Sequence, residues 1–269
     1  MWGARRMPGN SGRKTFVGIC GFAESQERIF RDFDVLEVQQ TFYQPPAPAT
    51  AERWKAKAPP SFVFTLKAWQ LITHGASSPT YRRLKEELHS GSLAQAGGFR
   101  SNDVTRMAWE RTLEIAEALD AWGIVFQTPR SFGPTAENLR RIRKFFQAID
   151  RRGRRMVFEP RGEAWTDRIV APLVEELGLV HCVDPFLREP VEGPGPSVRY
   201  YRLHGLPGYA YHYAYAERDL EFLQGRLTRE EANFVLFNND SMARDARRFL
   251  TLIRGSSLEG STKGRRKTR

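Results

Sequence analysis

The sequence predicts an α/β protein built as one TIM-type (β/α)8 barrel, a single domain with an insertion between strands 3 and 4. The first observation is that eight short apolar segments each end in a polar or ionisable residue. The second is that helix-like stretches separate most of them, which is the alternation of a parallel barrel with its site at the strands' carboxyl ends. The third is size: 269 residues with 41% hydrophobic content suit one barrel of about 250 residues. No internal repeat or linker divides the chain.

In order, the strands are expected at 16–20, 35–40, 62–67, 123–127, 155–159, 179–183, 198–203 and 233–237. All are short and rich in Val, Ile, Phe and Tyr. Their polar stops are Cys20, Glu37 to Gln39, Lys67, Gln127, Glu159 with Arg161, Asp184, His204, and Asn238 with Asn239. Between them, 48–57 reads as helix. Segment 103–121 puts Trp109, Leu113, Ala116 and Leu119 on one face, and 135–150 does the same with Leu139, Ile142, Phe146 and Ile149. The last helix carries Met242, Ala246, Phe249 and Ile253 in step, with N-cap candidates at Asn239 to Ser241. The insertion after strand 3 is read as a helix near 79–89 followed by the Gly-rich loop GSLAQAGGF, a lid or wall on the site face. Residues 184–197 show no helical period, and Pro172 argues against a regular helix at 167–177.

The net charge is +11, of which 1–14 and 255–269 each carry +4. These two basic stretches read as disordered tails flanking a barrel domain at 15–254, and they supply solubility and a general attraction to polyanions such as nucleic acid. No apolar run approaches the roughly 18 residues needed to cross a bilayer. Nor does an apolar stretch follow the basic N-terminus as in a secretory signal. Cys20 and Cys182 fall on strands that are not neighbours, so no disulfide is expected and a reducing cytoplasm is the expected location.

Period-2 alternation decides which polar side chains enter the barrel. Setting the bulkier apolar residues against the helices sends Glu37, Lys67, Glu159, Arg161, Arg202 and His204 into the mouth, where Gln127, Asp184 and Asn238 can join them. Charges there must be paired, neutralised or wet, and ionisable groups collected in a cleft are where acid and base roles are found. Glu37 or Glu159 beside Lys67 could be a base with an ammonium holding the developing anion. His204 is the other proton-transfer candidate. Glu37, Glu159, Asp184 and His204 also form a donor set for a divalent metal, which the adjacent cations and the lack of any HxH, HExxH or CxxC motif disfavour. The loop HGLPGYAYHYAY places Tyr209, Tyr211, Tyr213 and Tyr215 at alternate positions, so an extended conformation would offer all four rings for stacking on a ligand. Gly205 and Gly208 lie where many barrels hold phosphate. Cys20 reads as buried filler.

The runs GICGF (18–22), LEVQQTFYQPP (36–46), ERWKAKAPPSFVFTLKAWQLITH (52–74), GIVFQTPRSF (123–132), FEPRGEAW (158–165), YRLHG (201–205) and FNND (237–240) together resemble the domain of unknown function 72 family, the YecE-like proteins. The resemblance implies a TIM-type barrel and brings no assigned reaction. By position it places functional weight on Glu37, Thr41, Tyr43, Lys67, His74, Glu159, Arg161, His204 and Asn238. The chain departs from the family pattern at Cys20, where a hydroxyl residue is usual, and at Gln39, where Asn is usual.

The expected function is an enzyme acting at the barrel mouth on a small polar, anionic ligand of the sugar phosphate or nucleotide type. Glu37, Lys67, Glu159 and His204 would serve chemistry, while Thr41, Tyr43, His74, Gln127, Arg161, Asp184, Arg202, Tyr211, Tyr213 and Asn238 would contact the ligand. The alternatives are a metal-dependent phosphodiester hydrolase on nucleic acid and a non-catalytic ligand- or nucleic-acid-binding module.

Overall fold

Eight parallel strands close into a barrel in sequence order, β1 pairing with both β2 and β8. The strands of this computed structural model are β1 Thr15–Cys20, β2 Val35–Val38, β3 Val63–Lys67, β4 Gly123–Gln127, β5 Arg155–Glu159, β6 Leu179–Val183, β7 Val198–Leu203 and β8 Ala232–Phe237. The described residues are 14–194, 198–228 and 232–263, with side chains to 255. The expected disordered residues 1–13 and 264–269 therefore lie outside them. Among the described residues no helix is long and apolar enough to cross a membrane.

The barrel alternation separates two cores. Val17, Ile19, Leu36, Val38, Phe64, Leu66, Ile124, Phe126, Met156, Phe158, Leu203, Val235 and Phe237 face the helices. The opposite parity, including Phe16, Cys20, Val35, Val63, Val125, Val157, Cys182, Tyr200, Phe234 and Leu236, fills the interior together with Trp122. Both cysteines are free and buried. At the lower end Phe16 stacks on Phe234 at 5.1 Å, and Trp122 lies over Phe234 at 4.2 Å. Bulky rings fill a small barrel because eight tilted strands leave just enough room for side chains.

The helices are α1 Gln26–Asp32, α2 Gln40–Tyr43, α3 Pro48–Lys57, α4 Gln70–Thr73, α5 Ser90–Gln95, α6 Asp103–Ala118, α7 Ala136–Ala148, α8 Asp167–Leu177, α9 Glu217–Gly225 and α10 Met242–Lys263. α3 begins with Pro48 at its first turn, where the missing N–H costs nothing. Asn102 caps α6 by accepting from the Thr105 backbone at 2.9 Å. Helix α8 forms despite Pro172, because it buries Val170, Leu173, Val174 and Leu177 and ends on left-handed Gly178. Segment 35–40 is strand only to Val38. Gln39 has helical angles and opens α2. The boundary expected at 255 falls inside α10, which continues to Lys263.

The insertion is the main correction. No α-helix occupies 79–89. That stretch holds a five-residue 3-10 turn, Pro79–Arg83, with no buried residue, and α5 falls where a Gly-rich loop was expected. Without a buried apolar stripe a longer helix has nothing to stabilise it. The insertion is seated by the buried Phe99 ring and by its backbone: Gly97 donates to Leu71 O at 2.7 Å, Phe99 to Ile72 O at 2.9 Å, and Gly98 to Thr73 O at 3.2 Å. Gly97 has φ +79, and a Cβ there would stand 2.2 Å from the His74 carbonyl, so only glycine permits this approach.

Candidate functional site

The carboxyl ends of β2, β3, β4, β5 and β7 bring Glu37, Lys67, Gln127, Glu159 and Arg202 to one layer, as the alternation requires. Arg202 is the centre. Its Nη2 lies 3.1 Å from Glu37 Oε1, and its Nη1 bonds Glu159 Oε2 and reaches Gln127 Oε1 at 3.3 Å. The side chains of Arg202 and Glu37 are 1% and 0% exposed, so these charges have no solvent to fall back on. Burial alone would lower the Arg202 pKa. Glu159 and Glu37 outweigh it and hold the guanidinium firmly charged.

Glu37 is saturated with donors. Besides Arg202 it accepts from Tyr200 Oη at 2.8 Å and from the Gln39 amide. Tyr200 in turn takes the Thr65 hydroxyl at 2.9 Å. Glu159 is committed as well: Arg161 Nε donates to Oε1 at 3.0 Å, and Arg202 holds Oε2. Burial would raise the Glu159 carboxyl, but Arg161 and Arg202 together hold it well below the usual carboxylate range.

His204 accepts through Nε2 from Arg161 Nη2 at 2.8 Å. Arginine can only donate, so the imidazole is neutral with its proton on Nδ1, which lies 3.8 Å from Asp184 Oδ2. Burial pushes its pKa down to about 4, although Asp184 and Glu159 pull the other way. Asp184 is occupied by backbone, accepting from His204 N at 3.2 Å and Phe186 N at 3.1 Å. The oxygen donors expected to suit a metal are thus spent on guanidinium and amide partners. Among the described residues no group of three or more His, Cys, Asp or Glu is arranged to hold an ion.

Lys67 is the exception. It is 6% exposed, and among the described residues no ion pair or hydrogen bond engages its Nζ. The ammonium sits 3.7 Å from the centre of the Phe42 ring. Burial, with the Arg202 and Arg161 charges adding, lowers its pKa to about 7. His74 packs edge-on against the same ring at 4.8 Å, with Nδ1 bonded to Thr73 Oγ1 at 2.8 Å. Burial, and next the Lys67 charge, depress His74 to about 3.

Three of the residues expected to contact a ligand have partners within the protein. Thr41 is 1% exposed, and its hydroxyl shares its one proton between Val38 O at 2.8 Å and Lys67 O at 2.6 Å, tying the ends of β2 and β3. Tyr43 is covered by the Arg83 guanidinium at 3.5 Å. Asn238 is half-buried beside the mouth and donates its backbone to Leu203 O at 2.9 Å.

The tyrosine loop is not extended. Gly205, Gly208 and Tyr209 all have positive φ, so the chain coils and the four rings divide. Tyr209 lies 4.3 Å from the Arg161 guanidinium and 5.0 Å from His204, while Tyr211, 40% exposed, meets His204 edge-on at 5.9 Å. Tyr213 points away, donating to Asp219 at 2.6 Å, and Tyr215 is core. Gly205 N donates to Tyr215 Oη at 2.8 Å and so offers nothing to a phosphate. The Asn239 amide is committed to Tyr213 O and Asp245.

Tyr200 and Phe42 lie at the site but do not stand out in the sequence reading. The signal for Tyr200 was present, because it shares the parity of Arg202 and His204 on one strand.

A family model described as protein of unknown function DUF72 matches residues 25–266. A DUF72 family protein from Enterococcus faecalis is 17% identical, with a TM-score of 0.67 over 89% of this chain and 97% of that one. Another from Thermotoga maritima is 18% identical, with a TM-score of 0.64 over 90% and 100%. A D-psicose 3-epimerase shares the fold at 13% identity and a TM-score of 0.54, over 90% of this chain and 98% of its own. No curated protein matches the sequence.

Proposed function

The chain belongs to the DUF72, or YecE-like, family, and from that premise we propose that its barrel mouth is an active site for a small polar, anionic ligand. The observation that carries this reading is Lys67, a buried amine at a strand end that no carboxylate partners. Evolutionarily cheaper residues would fill a purely structural position, because an unpaired buried ammonium is unfavourable. An incoming anion would supply its missing counter-charge.

The proton-transfer role narrows by elimination. Glu159 is held ionised by two guanidiniums, Glu37 already accepts from three donors, and the His204 Nε2 lone pair is taken by Arg161. Lys67, with a pKa of about 7, can give or take a proton at neutral pH. Glu37, Glu159 and Arg202 then act as a fixed electrostatic frame. Arg161 with Tyr209 and Tyr211 forms the outer wall against which the ligand is held.

The test is thermal unfolding of the full chain with inorganic phosphate, glycerol 3-phosphate or ribose 5-phosphate. A rise in melting temperature that Lys67→Met abolishes supports the reading. An unchanged shift in that variant, or no shift with any of the three, counts against it.

A further inference from the structure

We propose that Lys67 acts as a nucleophile, condensing through its ε-amine with the aldehyde or ketone carbon of an anionic carbonyl compound to form an imine. This rests on the preceding reading of the mouth and names its substrate class.

The geometry is that of an amine kept from ion pairing. Every other charged side chain of the layer has a partner of opposite sign within 4 Å, as in the Arg202–Glu37, Arg202–Glu159 and Arg161–Glu159 pairs. Lys67 projects from the end of β3 onto the Phe42 ring instead. Its strand end is fixed by the Thr41 hydroxyl on its own carbonyl at 2.6 Å. Two guanidiniums nearby, Arg202 and Arg161, oppose a proton on the amine without being able to accept one. These are the surroundings that make a lysine nucleophilic: desolvation and neighbouring cations outweigh the attraction of Glu159 and Glu37, neither of which pairs directly with the ammonium. The depressed pKa agrees with the geometry, leaving a large fraction of neutral amine at pH 7.

The chemistry balances without any oxidant or reductant. The Nζ lone pair forms the C–N bond, and the carbonyl π pair moves to oxygen. One N–H proton transfers to that oxygen, giving a carbinolamine. A second proton, taken by the hydroxyl from solvent, lets the C–O bond break, water leaves, and a protonated imine remains. Its positive nitrogen then acidifies the adjacent C–H, which can lose its proton to solvent. Hydrolysis by the reverse steps frees the lysine. This places the protein among catalysts of isomerisation or carbon–carbon bond chemistry next to a carbonyl.

The experiment incubates the full chain at pH 7 with D-glyceraldehyde 3-phosphate and sodium cyanoborohydride, then maps adducts by mass spectrometry. The expected result is one adduct per chain at Lys67, formed about 100-fold faster than at exposed lysines. Glycerol 3-phosphate, which lacks the carbonyl, should slow it. Lys67→Arg should retain stabilisation by glycerol 3-phosphate but form no adduct. Modification spread over surface lysines with Lys67 unmodified overturns the imine. If glycerol 3-phosphate still stabilises the chain through Lys67, the imine alone falls and the anion site stands. If Lys67 is modified without competition or stabilisation, the anion site falls and the nucleophile stands.

Discussion

The two ends of the barrel interior solve the same filling problem with opposite chemistry. At the lower end Phe16 and Trp122 both stack on Phe234, at 5.1 and 4.2 Å, and bury no charge. At the upper end Arg202 is clamped between Glu37 and Glu159 in a space equally closed to water. Tyr200 joins them: its ring stacks on Phe234 at 5.5 Å while its hydroxyl donates to Glu37 at 2.8 Å. An apolar filling is usually as stable as a buried ion network. The lower end therefore shows what stability alone selects, and the upper end is the part that stability alone does not explain.

The strongest test of that contrast removes the centre of each end. Arg202→Met leaves Glu37 without its cation and Glu159 with Arg161 alone in a dry layer, and should cost about 3–5 kcal/mol. Trp122→Ala should cost about as much through the cavity it leaves. Only the first should alter the mouth, raising the Lys67 pKa, because the guanidinium that opposes its proton is gone and the freed carboxylates attract it. Urea unfolding with pH-dependent amine labelling reads both. Equal effects of the two variants on labelling would erase the distinction.

A second test uses pH. The folded pKa of Lys67 is about 7, below the value of about 10.4 expected in the unfolded chain. Between these the unfolded chain binds the extra proton, so this group makes stability rise as pH climbs from about 7 to 10. The contribution should be about 3 kcal/mol. It should be missing from Lys67→Met when the two chains are compared by urea unfolding across that range. A parallel pH profile in both would mean that the amine keeps its proton.

The smallest expected effect is at the junction. Tyr200→Phe keeps the stack but leaves Thr65 and Glu37 one partner short, and should cost about 1–2 kcal/mol. A loss as large as that of Arg202→Met would show that the two ends are not energetically separable.

The strands were legible because each carries a period-2 pattern and a polar stop, and all eight are found within two residues of their expected limits. The same parity placed Glu37, Lys67, Glu159, Arg161, Arg202 and His204 at one mouth before any coordinates. What parity does not carry is partnership. Nothing local distinguishes Glu159, saturated by two arginines, from a carboxylate free to act as base, because Arg202 lies 43 residues away in sequence. The tyrosine loop failed for a different reason. Alternation implies one face only where backbone is extended, and Tyr209 at φ 63 breaks that condition. The insertion failed because it is seated by main-chain bonds at 97–99 and by isolated side chains such as Phe99, which leave no periodic pattern to read.

That main-chain seating has a consequence at position 97. Where two backbones touch with no side chain between them, the spacing of the segment from the 71–74 backbone is set by atoms common to every residue. Tyr81, whose hydroxyl reaches the His74 carbonyl at 2.8 Å, is carried on the same segment. A single added methyl at Gly97 would lever that segment outward, widening the entrance while leaving every charged group of the interior unchanged.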